Sequence, residues 1–541
     1  MKNTLQLHII LIIVLLFLAA CGSDTVVEPT PILPPPNVSI SDGAGSSDDT
    51  AVSPTLEPGQ LPEATAVPDD NPTAEPTPTL EPTATAVGEI LPPPVTDPPV
   101  QVVTSSPLPA FGRDLLFIGD GAFKRWNHNS SRIEQLLPGP DPAQRIRSDK
   151  NRYDDFVGDI TQFSVSGDGK RAAVVRLAAS NPVTRTNSSG NPYPAKDTRH
   201  ELWFVDLVSG ESWLLTPRID NLHNIALSHD ARHVAFIGSS LNGANIFGKE
   251  GEPVRHVYFL ATNGGSPGPV VYAAACNLFC SQMAWHPDNN LFVWNDAEAV
   301  WMRNLAGNEP EPLLPNKTFG VHTDNPGEAV VYAPIEWANN GRYLLLWKGG
   351  WEGGSRAVFD VPTNAVAEIP NTFVYVNVFP AEVMWLPDDR LSVLTSESSD
   401  SALLPTIALW RFHPEQATIV EEESLLLTNQ RYGAAGQQHL DNGRFAYALF
   451  GEVPLSPEAG LYHLTSLNEI SERVNTTPPV QFIPGAGQAS WAKDGSGAII
   501  LPGDGSRVYY GPAEGEFLYD VTAVLGADPH AYQWQPEIVV P

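Results

Sequence analysis

Three short groups of residues in this chain have the types and spacing that chemistry requires. The run Gly-Gly-Ser-Pro-Gly at 264–268 has the glycine spacing of a nucleophile elbow, in which a strand-to-helix turn exposes a serine for acyl transfer. His229 and His233 have the i, i+4 spacing with which two imidazoles on one helix face bind a metal ion. Asp168 and Asp494 could coordinate calcium together with neighbouring carbonyl oxygens.

The surrounding sequence argues against each of these activities. Ser266 falls in a Gly- and Pro-rich turn between two predicted strands, so no helix follows that would expose its hydroxyl. A predicted hairpin turn separates His229 from His233. Asp168 and Asp494 each precede a glycine in a tight turn, where an aspartate caps the turn itself. We therefore predict no catalytic residue, no metal site and no cofactor.

Apart from Cys21, the chain contains two cysteines, Cys276 and Cys280, in one predicted loop. Their spacing allows a disulfide, and oxidising surroundings outside the cytoplasm favour one. We predict that Cys276 and Cys280 are bonded; the alternative is two independent buried thiols. A bond that closes so short a loop would shape the loop more than it stabilises the fold.

The first 20 residues have the anatomy of a secretory signal peptide, with Lys2, an apolar run at 9–18 and two alanines directly before Cys21. The apolar run is shorter than the roughly 20 residues that a membrane-spanning helix needs. Leu18-Ala-Ala-Cys21-Gly resembles the lipobox of bacterial lipoproteins, which implies that Cys21 carries a lipid and anchors the mature chain to a membrane outside the cytoplasm. Ser23 stands where an Asp would favour retention on the inner membrane, which leaves the outer membrane and the cell surface open.

Residues 21–112 have the composition of a disordered linker. The segment is rich in Pro, Thr, Ala and Val, and positions 22–112 contain 13 acidic residues and no Lys or Arg. Such a chain cannot bury enough apolar surface to offset the loss of conformational entropy on folding. We predict a disordered stalk with a root-mean-square span of roughly 50 Å.

The remaining 113–541 are also acidic, with a formal charge of −19 out of the −31 of the whole chain. Nucleic-acid binding requires a basic surface, and docking onto anionic lipid requires basic clusters. The charge therefore argues against both kinds of partner. Solubility alone accounts for an acidic surface.

One unit recurs along 113–541: a strand, a tight turn and a second, more apolar strand. Asp-Gly and Asn-Gly turns tolerate the positive φ of a two-residue hairpin, and a second hairpin lies between successive copies. Two hairpins per copy make a four-stranded blade, so the repeat predicts an all-β propeller. In five copies a Trp precedes the turn by three positions: Trp285, Trp337, Trp385, Trp491 and Trp534. The turn residues are spaced 43 to 62 positions apart and are Asp168, Asp230, Asp288, Asn340, Asp388, Asn442, Asp494 and Glu537.

The two ends of 113–541 are expected to form one blade together. The segment opens with Leu115–Gly119 and a hairpin but lacks the strand with the Trp, which the C-terminus supplies as Trp534. Pairing of the N- and C-terminal strands would close the ring. We predict eight blades, with seven as the alternative because the early copies are degenerate.

At these turns the chain resembles the propellers of the TolB type, whose repeats carry Trp-Ser-Pro-Asp-Gly. Trp285-His-Pro-Asp288 and Trp385-Leu-Pro-Asp388 come close, and no copy has the full motif. We expect neither the α/β domain that precedes the propeller of TolB nor the hydrolase domain of the related peptidases. The resemblance therefore implies the fold and a tendency to bind proteins or peptides, but none of the relatives' activities.

Blade topology places the loops between second and third strands on the same face as the loops between blades, and these loops are long. Function tends to lie on such loops of a rigid scaffold. We expect this face to bind a partner, with candidates in a basic cluster and in Gly- or Pro-rich loops: Arg145, Arg147, Arg152, Tyr153, Tyr193 and Trp351.

Two functions remain open at this point. The first is a monomeric, membrane-anchored lipoprotein whose propeller binds a protein, peptide or glycan. The second is a glycan-active hydrolase or lyase that uses carboxylates in the propeller channel. Carboxylates about 5 to 10 Å apart in a pocket would favour the enzyme.

Overall fold

The computed structural model describes residues 101–103, 112–141, 156–186, 191–239, 254–276, 280, 282–307, 309–375, 381–395, 404–429, 433–450, 458–469, 471–475, 488–501, 507–515 and 517–536. These residues form eight antiparallel blades, which confirms the predicted all-β propeller and its number of blades. Cys21, the predicted signal peptide and most of the predicted linker lie outside this part of the chain. Within it, no helix has the length and apolar character needed to cross a membrane.

Each blade has four strands, which are consecutive in the chain except in blade one, where the first strand comes from the C-terminal end. The first strands of neighbouring blades contact one another, which places them nearest the ring axis. We number the blades from one to eight along the chain. Blades one and two contain, in blade order, His530–Trp534, Leu115–Gly119, Ala122–Asn127 and Arg132–Leu137, then Ile160–Val165, Arg171–Thr186, Pro192–Asp206 and Ser212–Asp220. Blades three and four contain Asn224–Leu227, His233–Gly238, Arg255–Ala261 and Val271–Cys276, then Met283–Trp285, Leu291–Asn295, Ala299–Asn304 and Glu311–Pro315.

The second half of the ring repeats this order. Blades five and six contain Val331–Trp337, Tyr343–Gly349, Gly353–Asp360 and Ala365–Glu368, then Glu382–Trp385, Leu391–Thr395, Thr406–His413 and Thr418–Leu426. Blades seven and eight contain Gly433–His439, Phe445–Phe450, Gly460–Leu464 and Glu472–Asn475, then Gln488–Trp491, Gly497–Leu501, Tyr509–Pro512 and Phe517–Asp520. The short elements outside the blades are the strands Gln101–Val103 and Val374–Tyr375, the α-helix Thr522–Leu525 and the 3-10 turns Asn263–Gly265 and Pro326–Glu328.

The ring closes as predicted, by pairing strands from opposite ends of the propeller. His530–Trp534 lies antiparallel to Leu115–Gly119, with Trp534 opposite Leu115. One strand falls inside the segment predicted to be a disordered linker. Gln101–Val103 lies parallel to Phe517–Asp520 as a fifth strand of blade eight. Its Gln-Val-Val sequence favours extended structure, and the added strand covers an outer edge that would otherwise expose unpaired backbone groups.

Apolar side chains of the described residues form eight buried clusters, one at each interface between neighbouring blades. The five recurring Trp residues belong to these clusters, and each packs against the preceding blade. Two also donate an indole N–H to the first strand of that blade: Trp285 to the Ala226 carbonyl at 2.7 Å and Trp534 to the Ser490 carbonyl at 2.8 Å. The Trp therefore recurs because it fills and fastens the interface between blades.

The acidic residues of the repeat stabilise their own turns. The side chains of Asp168 and Asp494 each accept the backbone N–H two residues later at 3.0 Å, and Asn340 does the same at 2.7 Å. These bonds engage one carboxylate oxygen, Oδ1, of Asp168 and of Asp494. Within the described ranges, no group of three or more His, Cys, Asp and Glu side chains is arranged to hold a metal ion.

Candidate functional site

The two faces of the ring differ in how their loops are used. On the face made of first-to-second and third-to-fourth turns, hydrogen bonds connect neighbouring blades. The Gln535 amide donates to the Gly169 carbonyl at 2.6 Å, the Gly167 N–H donates to the His229 carbonyl at 2.9 Å, and a ring nitrogen of His286 lies 2.9 Å from the Gly341 carbonyl. We call this the short-turn face and the opposite one the long-loop face. The short-turn face serves to hold the blades together.

The loop predicted at 178–200 on the long-loop face is a two-stranded ribbon. The second and third strands of blade two stay paired from Arg171 opposite Asp206 to Thr186 opposite Pro192. The fourth strand stops pairing at Arg199, so about eight residues of each strand extend beyond the blade, or about 25 Å at the rise of an extended strand. The prediction of a loop was wrong because prolines interrupt the strand pattern, although proline is tolerated on strands with open edges.

The loop predicted at 348–355 is also shorter than expected. Blade five extends its strands to Gly349 and from Gly353, which leaves three residues, 350–352, in a tight turn. The Gly350 N–H donates to the Gly353 carbonyl at 2.7 Å. Trp351 lies at the tip of this turn and is 45 % exposed. A large apolar side chain is thus held out from a rigid support.

Three further aromatic residues lie on loops beside Trp351. The rings of Trp351 and Phe319 are 4.8 Å apart at 62°, and those of Phe373 and Tyr375 are 5.2 Å apart at 86°. Tyr375 lies opposite Gly353, two residues after Trp351, which makes the two pairs neighbours. Phe373 is 51 % exposed and Tyr375 47 %. We call Phe319, Trp351, Phe373 and Tyr375 the blade-five aromatic surface.

Glycine allows the segments that carry these rings to approach each other. A Cβ at Gly353 would lie 2.0 Å from the Val374 carbonyl oxygen, and a Cβ at Gly354 would lie 2.1 Å from the Trp347 ring. Neither backbone nor a packed indole can retreat from so close a contact. Substitution at Gly353 would therefore separate Tyr375 from the Trp351 turn, and substitution at Gly354 would displace Trp347.

The segment that carries Phe319 is fixed by its own hydrogen bonds. Lys317 and Val330 exchange two backbone hydrogen bonds, at 2.8 and 2.9 Å. A ring nitrogen of His322 lies 2.8 Å from a carboxylate oxygen of Glu298. The Asn325 side chain accepts the Gly327 N–H and so caps the 3-10 turn. The blade-five aromatic surface is thus built on ordered backbone at each of its segments.

Arg356 and Glu336 are charged residues of blade five, and each influences the pKa of the other. The Arg356 guanidinium lies over the Trp347 ring, 5.2 Å from its centre. Burial lowers the pKa of Arg356, and the nearby charge of Glu336 opposes that effect. Desolvation by the surrounding strands raises the pKa of Glu336, although this residue is exposed on its strand, while a hydrogen bond from the Trp385 backbone and the charges of Lys493 and Arg356 oppose the shift.

Two carboxylates of first strands, Glu336 and Glu382, are the described candidates for chemistry near the channel. The two carboxylate oxygens of Glu382 accept the backbone N–H groups of Gly436 and Gln437, each at 2.8 Å. Burial raises the pKa of Glu382, and these two hydrogen bonds oppose the effect. Glu336 in the same way accepts a hydrogen bond from the first strand of the next blade. Both carboxylates therefore connect blades.

The structure does not bring the described candidates of the predicted binding face together. Tyr193 lies on the ribbon of blade two, opposite Arg185, whereas Trp351 lies on blade five. The predicted basic cluster, Arg145, Arg147, Arg152 and Tyr153, lies outside the described residues. Phe319, Phe373 and Tyr375 were missed. The criterion that selected Trp351 was an aromatic residue in a Gly-rich or Pro-rich loop; Phe319, directly before Gly320, could have been found in this way, whereas 371–377 contains neither Gly nor Pro.

The residues considered for chemistry have structural surroundings. Ser266 is exposed directly after the 3-10 turn Asn263–Gly265. A ring nitrogen of His229 lies 3.4 Å from the Trp285 carbonyl, and His233 begins the strand after the turn. Cys276 and Cys280 are joined by a disulfide, with their Cα atoms 5.8 Å apart and both side chains buried.

Comparison with known proteins does not assign the chain to a family. No family model and no curated protein matches the chain. Solved structures with a similar fold include TolB from Acinetobacter baumannii, with 12% identity, a TM-score of 0.31 and coverage of 58% of this chain and 64% of that one. Dipeptidyl peptidase 4 from Porphyromonas gingivalis has 10% identity, a TM-score of 0.44 and coverage of 78% and 63%.

A third similar structure is the periplasmic gluconolactonase from Pseudomonas aeruginosa, with 12% identity, a TM-score of 0.38 and coverage of 78% of this chain and 99% of that one. The chain spans less than two thirds of the length of the TolB and peptidase structures. TolB-type propellers are thus among the structural neighbours, in line with the resemblance of the turns. At such identities the likeness concerns the fold alone.

Proposed function

We propose that this chain is an extracytoplasmic lipoprotein, anchored through Cys21, whose propeller binds a protein, peptide or glycan on its long-loop face. The observation that carries the proposal is the blade-five aromatic surface. Contiguous exposed apolar side chains on a soluble protein mark interaction sites, and Trp and Tyr dominate binding energy at such sites.

The geometry favours binding at this place for two further reasons. Ordered backbone holds the aromatic side chains before any partner arrives, which reduces the entropy lost on binding. The short-turn face, in contrast, has no comparable group of exposed aromatic side chains among the described residues. The enzyme alternative receives no comparable support, because Glu336 and Glu382 are used to connect neighbouring first strands.

Membrane anchoring is tested by replacing the lipidated cysteine. We expect the full-length chain to fractionate with membranes and to incorporate labelled fatty acid, and the Cys21→Ser variant to do neither. Recovery of Cys21→Ser in the membrane fraction would contradict the proposed anchor. A Cys280→Ser variant controls for loss of a cysteine elsewhere in the chain.

Binding is tested with the soluble Cys21→Ser chain as bait in envelope extract. A partner that engages the blade-five aromatic surface should be retained by this chain and lost, by at least about tenfold, when Trp351→Ala is added. Tyr272→Ala is the matched control, because Tyr272 is a similarly exposed aromatic residue, at 54 %, on the outer strand of blade three. Equal retention by the chain with Trp351→Ala would contradict the proposed site.

A further inference from the structure

The blade-five aromatic surface is an open platform and not a pocket. Trp351, Phe373 and Tyr375 each keep about half of their surface exposed. Two clefts, of about 440 and 390 Å³, lie on the short-turn face, between blades two and three and between blades six and seven. A partner at the aromatic surface must therefore be recognised by ring faces that stand in solvent.

We propose that the blade-five aromatic surface binds a neutral polysaccharide, an inference that rests on the binding function proposed above. A pyranose ring presents a patch of C–H groups about the size of an aromatic ring, with hydroxyls around its rim. Stacking removes that patch and the ring face from water together. Glu352, exposed directly after Trp351, supplies a carboxylate that accepts hydrogen bonds from hydroxyls.

The angles between the rings favour a polymer over a single small ligand. Within the two pairs the ring planes lie at 62° and 86°, so neighbouring rings offer faces in different directions. One planar ligand could stack on only one of these faces. Successive sugars of a polysaccharide are rotated about their linkages and can meet several of them.

The backbone at this site disfavours an extended peptide. A peptide commonly binds by adding a strand to a free edge or by placing side chains in a groove. Gly353 and Gly354 are already paired with Tyr375 and Val374. These backbone groups are therefore not available to an added strand, and the covering strand Val374–Tyr375 offers an open edge of only two residues.

Charge decides between neutral and anionic polysaccharides. Residues 113–541 have a formal charge of −19, and Glu352 is next to Trp351. The nearby Lys317 and Lys348 are paired with Glu328 and Glu368. Among the described residues around Trp351, these two lysines are paired, so an anionic polymer would meet repulsion that they do not offset, whereas a neutral polymer would not be repelled.

The test is affinity electrophoresis of the full-length Cys21→Ser chain in gels containing a soluble neutral glucan, a neutral mannan or polygalacturonate. We expect retardation by at least one neutral polymer and none by the anionic one. Trp351→Ala should weaken retardation at least about tenfold, Trp351→Tyr should keep most of it, and Tyr272→Ala should leave it unchanged. Near-ultraviolet circular dichroism checks that each variant is folded.

The outcomes separate this inference from the proposed function. No retardation by either neutral polymer, equal retardation by polygalacturonate, or retardation indifferent to Trp351→Ala would overturn the polysaccharide inference. If the same chain captures an envelope protein in a Trp351-dependent way without binding either neutral polymer, the binding function stands and the polysaccharide inference fails. If neither experiment depends on Trp351, both fail.

Discussion

The interface between blades four and five and the one between blades six and seven use equivalent strands but are filled differently. At the first, Trp337 is 8 % exposed and its ring lies 4.8 Å from that of His286. At the second, the equivalent position three residues before the turn is His439, beside a cleft of about 390 Å³. An imidazole fills less space than an indole, and the space that remains is open to solvent.

Two further interfaces of the ring also lack the recurring Trp. The recurring Trp is replaced by Val165 between blades one and two, by Leu227 between blades two and three and by His439 between blades six and seven. The cleft of about 440 Å³ lies between blades two and three, so both clefts open at interfaces without the Trp. Two of these three departures from the repeat therefore lie at interfaces with a cleft.

The largest expected effect is the loss of an interface Trp. Trp337→Ala should lower the free energy of unfolding by about 3–5 kcal/mol, because it removes a buried aromatic side chain and leaves a cavity. His439→Ala should cost less than about 1 kcal/mol, because its site already opens to a cleft. Chemical denaturation of both variants measures the difference, and equal losses would contradict the distinction between the two interfaces.

The second-largest expected effect is a loss of stability at acidic pH, caused by protonation of a histidine at the interface between blades two and three. His200 is buried, its Nδ1 has no hydrogen-bond partner, and it lies on the strand face of Leu202 and Phe204. Burial lowers the pKa of His200 from its usual 6.5 to about 4. A backbone hydrogen bond at Ile219 and the charge of Asp220 act in the opposite direction and raise it, but by less. The unfolded chain therefore binds the proton first.

A depressed histidine pKa means that stability is present above pH 6.5 and is lost as the pH falls through about 4. The full loss is about 3 kcal/mol, since one pKa unit corresponds to about 1.4 kcal/mol. Chemical denaturation at several pH values between 7.5 and 4 gives the free energy of unfolding against pH. His200→Gln should remove the part of this pH dependence that comes from His200. The control variant His530→Gln, at an exposed histidine, should keep the pH dependence of the intact chain. If His200→Gln also keeps it, His200 is not the residue responsible.

The features that could be predicted from the sequence are those that depend on local contacts. The hairpin turns follow from single side chains, as when the Asp168 carboxylate accepts the Lys170 N–H, and ring closure follows from the missing strand that contains Trp534. The blade-five aromatic surface depends instead on the pairing of Gly353 with Tyr375, across a separation that includes a whole strand and a turn. No local pattern specifies that pairing, so Trp351 could be selected as a candidate but Phe373 and Tyr375 could not.

A smaller effect of opposite sign should follow from restoring the Trp at an interface that lacks it. His439→Trp should raise the free energy of unfolding by about 1 kcal/mol, because the indole would fill part of the cleft beside Leu386 and Phe445. Leu227→Trp tests the same idea between blades two and three. Destabilisation of both variants would show that these interfaces are already packed to their shape and that an added indole strains them.

The smallest expected change in stability is that of Trp351→Ala, and it distinguishes the exposed Trp351 from the interface residue Trp337. Trp337 and Trp351 are both flanked by turn residues in the sequence, but Trp351 is 45 % exposed on a turn and contacts Phe319 at the surface. Trp351→Ala should change the free energy of unfolding by no more than about 0.5 kcal/mol, while it abolishes binding at the blade-five aromatic surface. A stability loss near that of Trp337→Ala would mean that Trp351 fills the structure rather than serving a partner. Because both variants remove the same side chain, denaturation and binding measured on the same samples assign each Trp to one role.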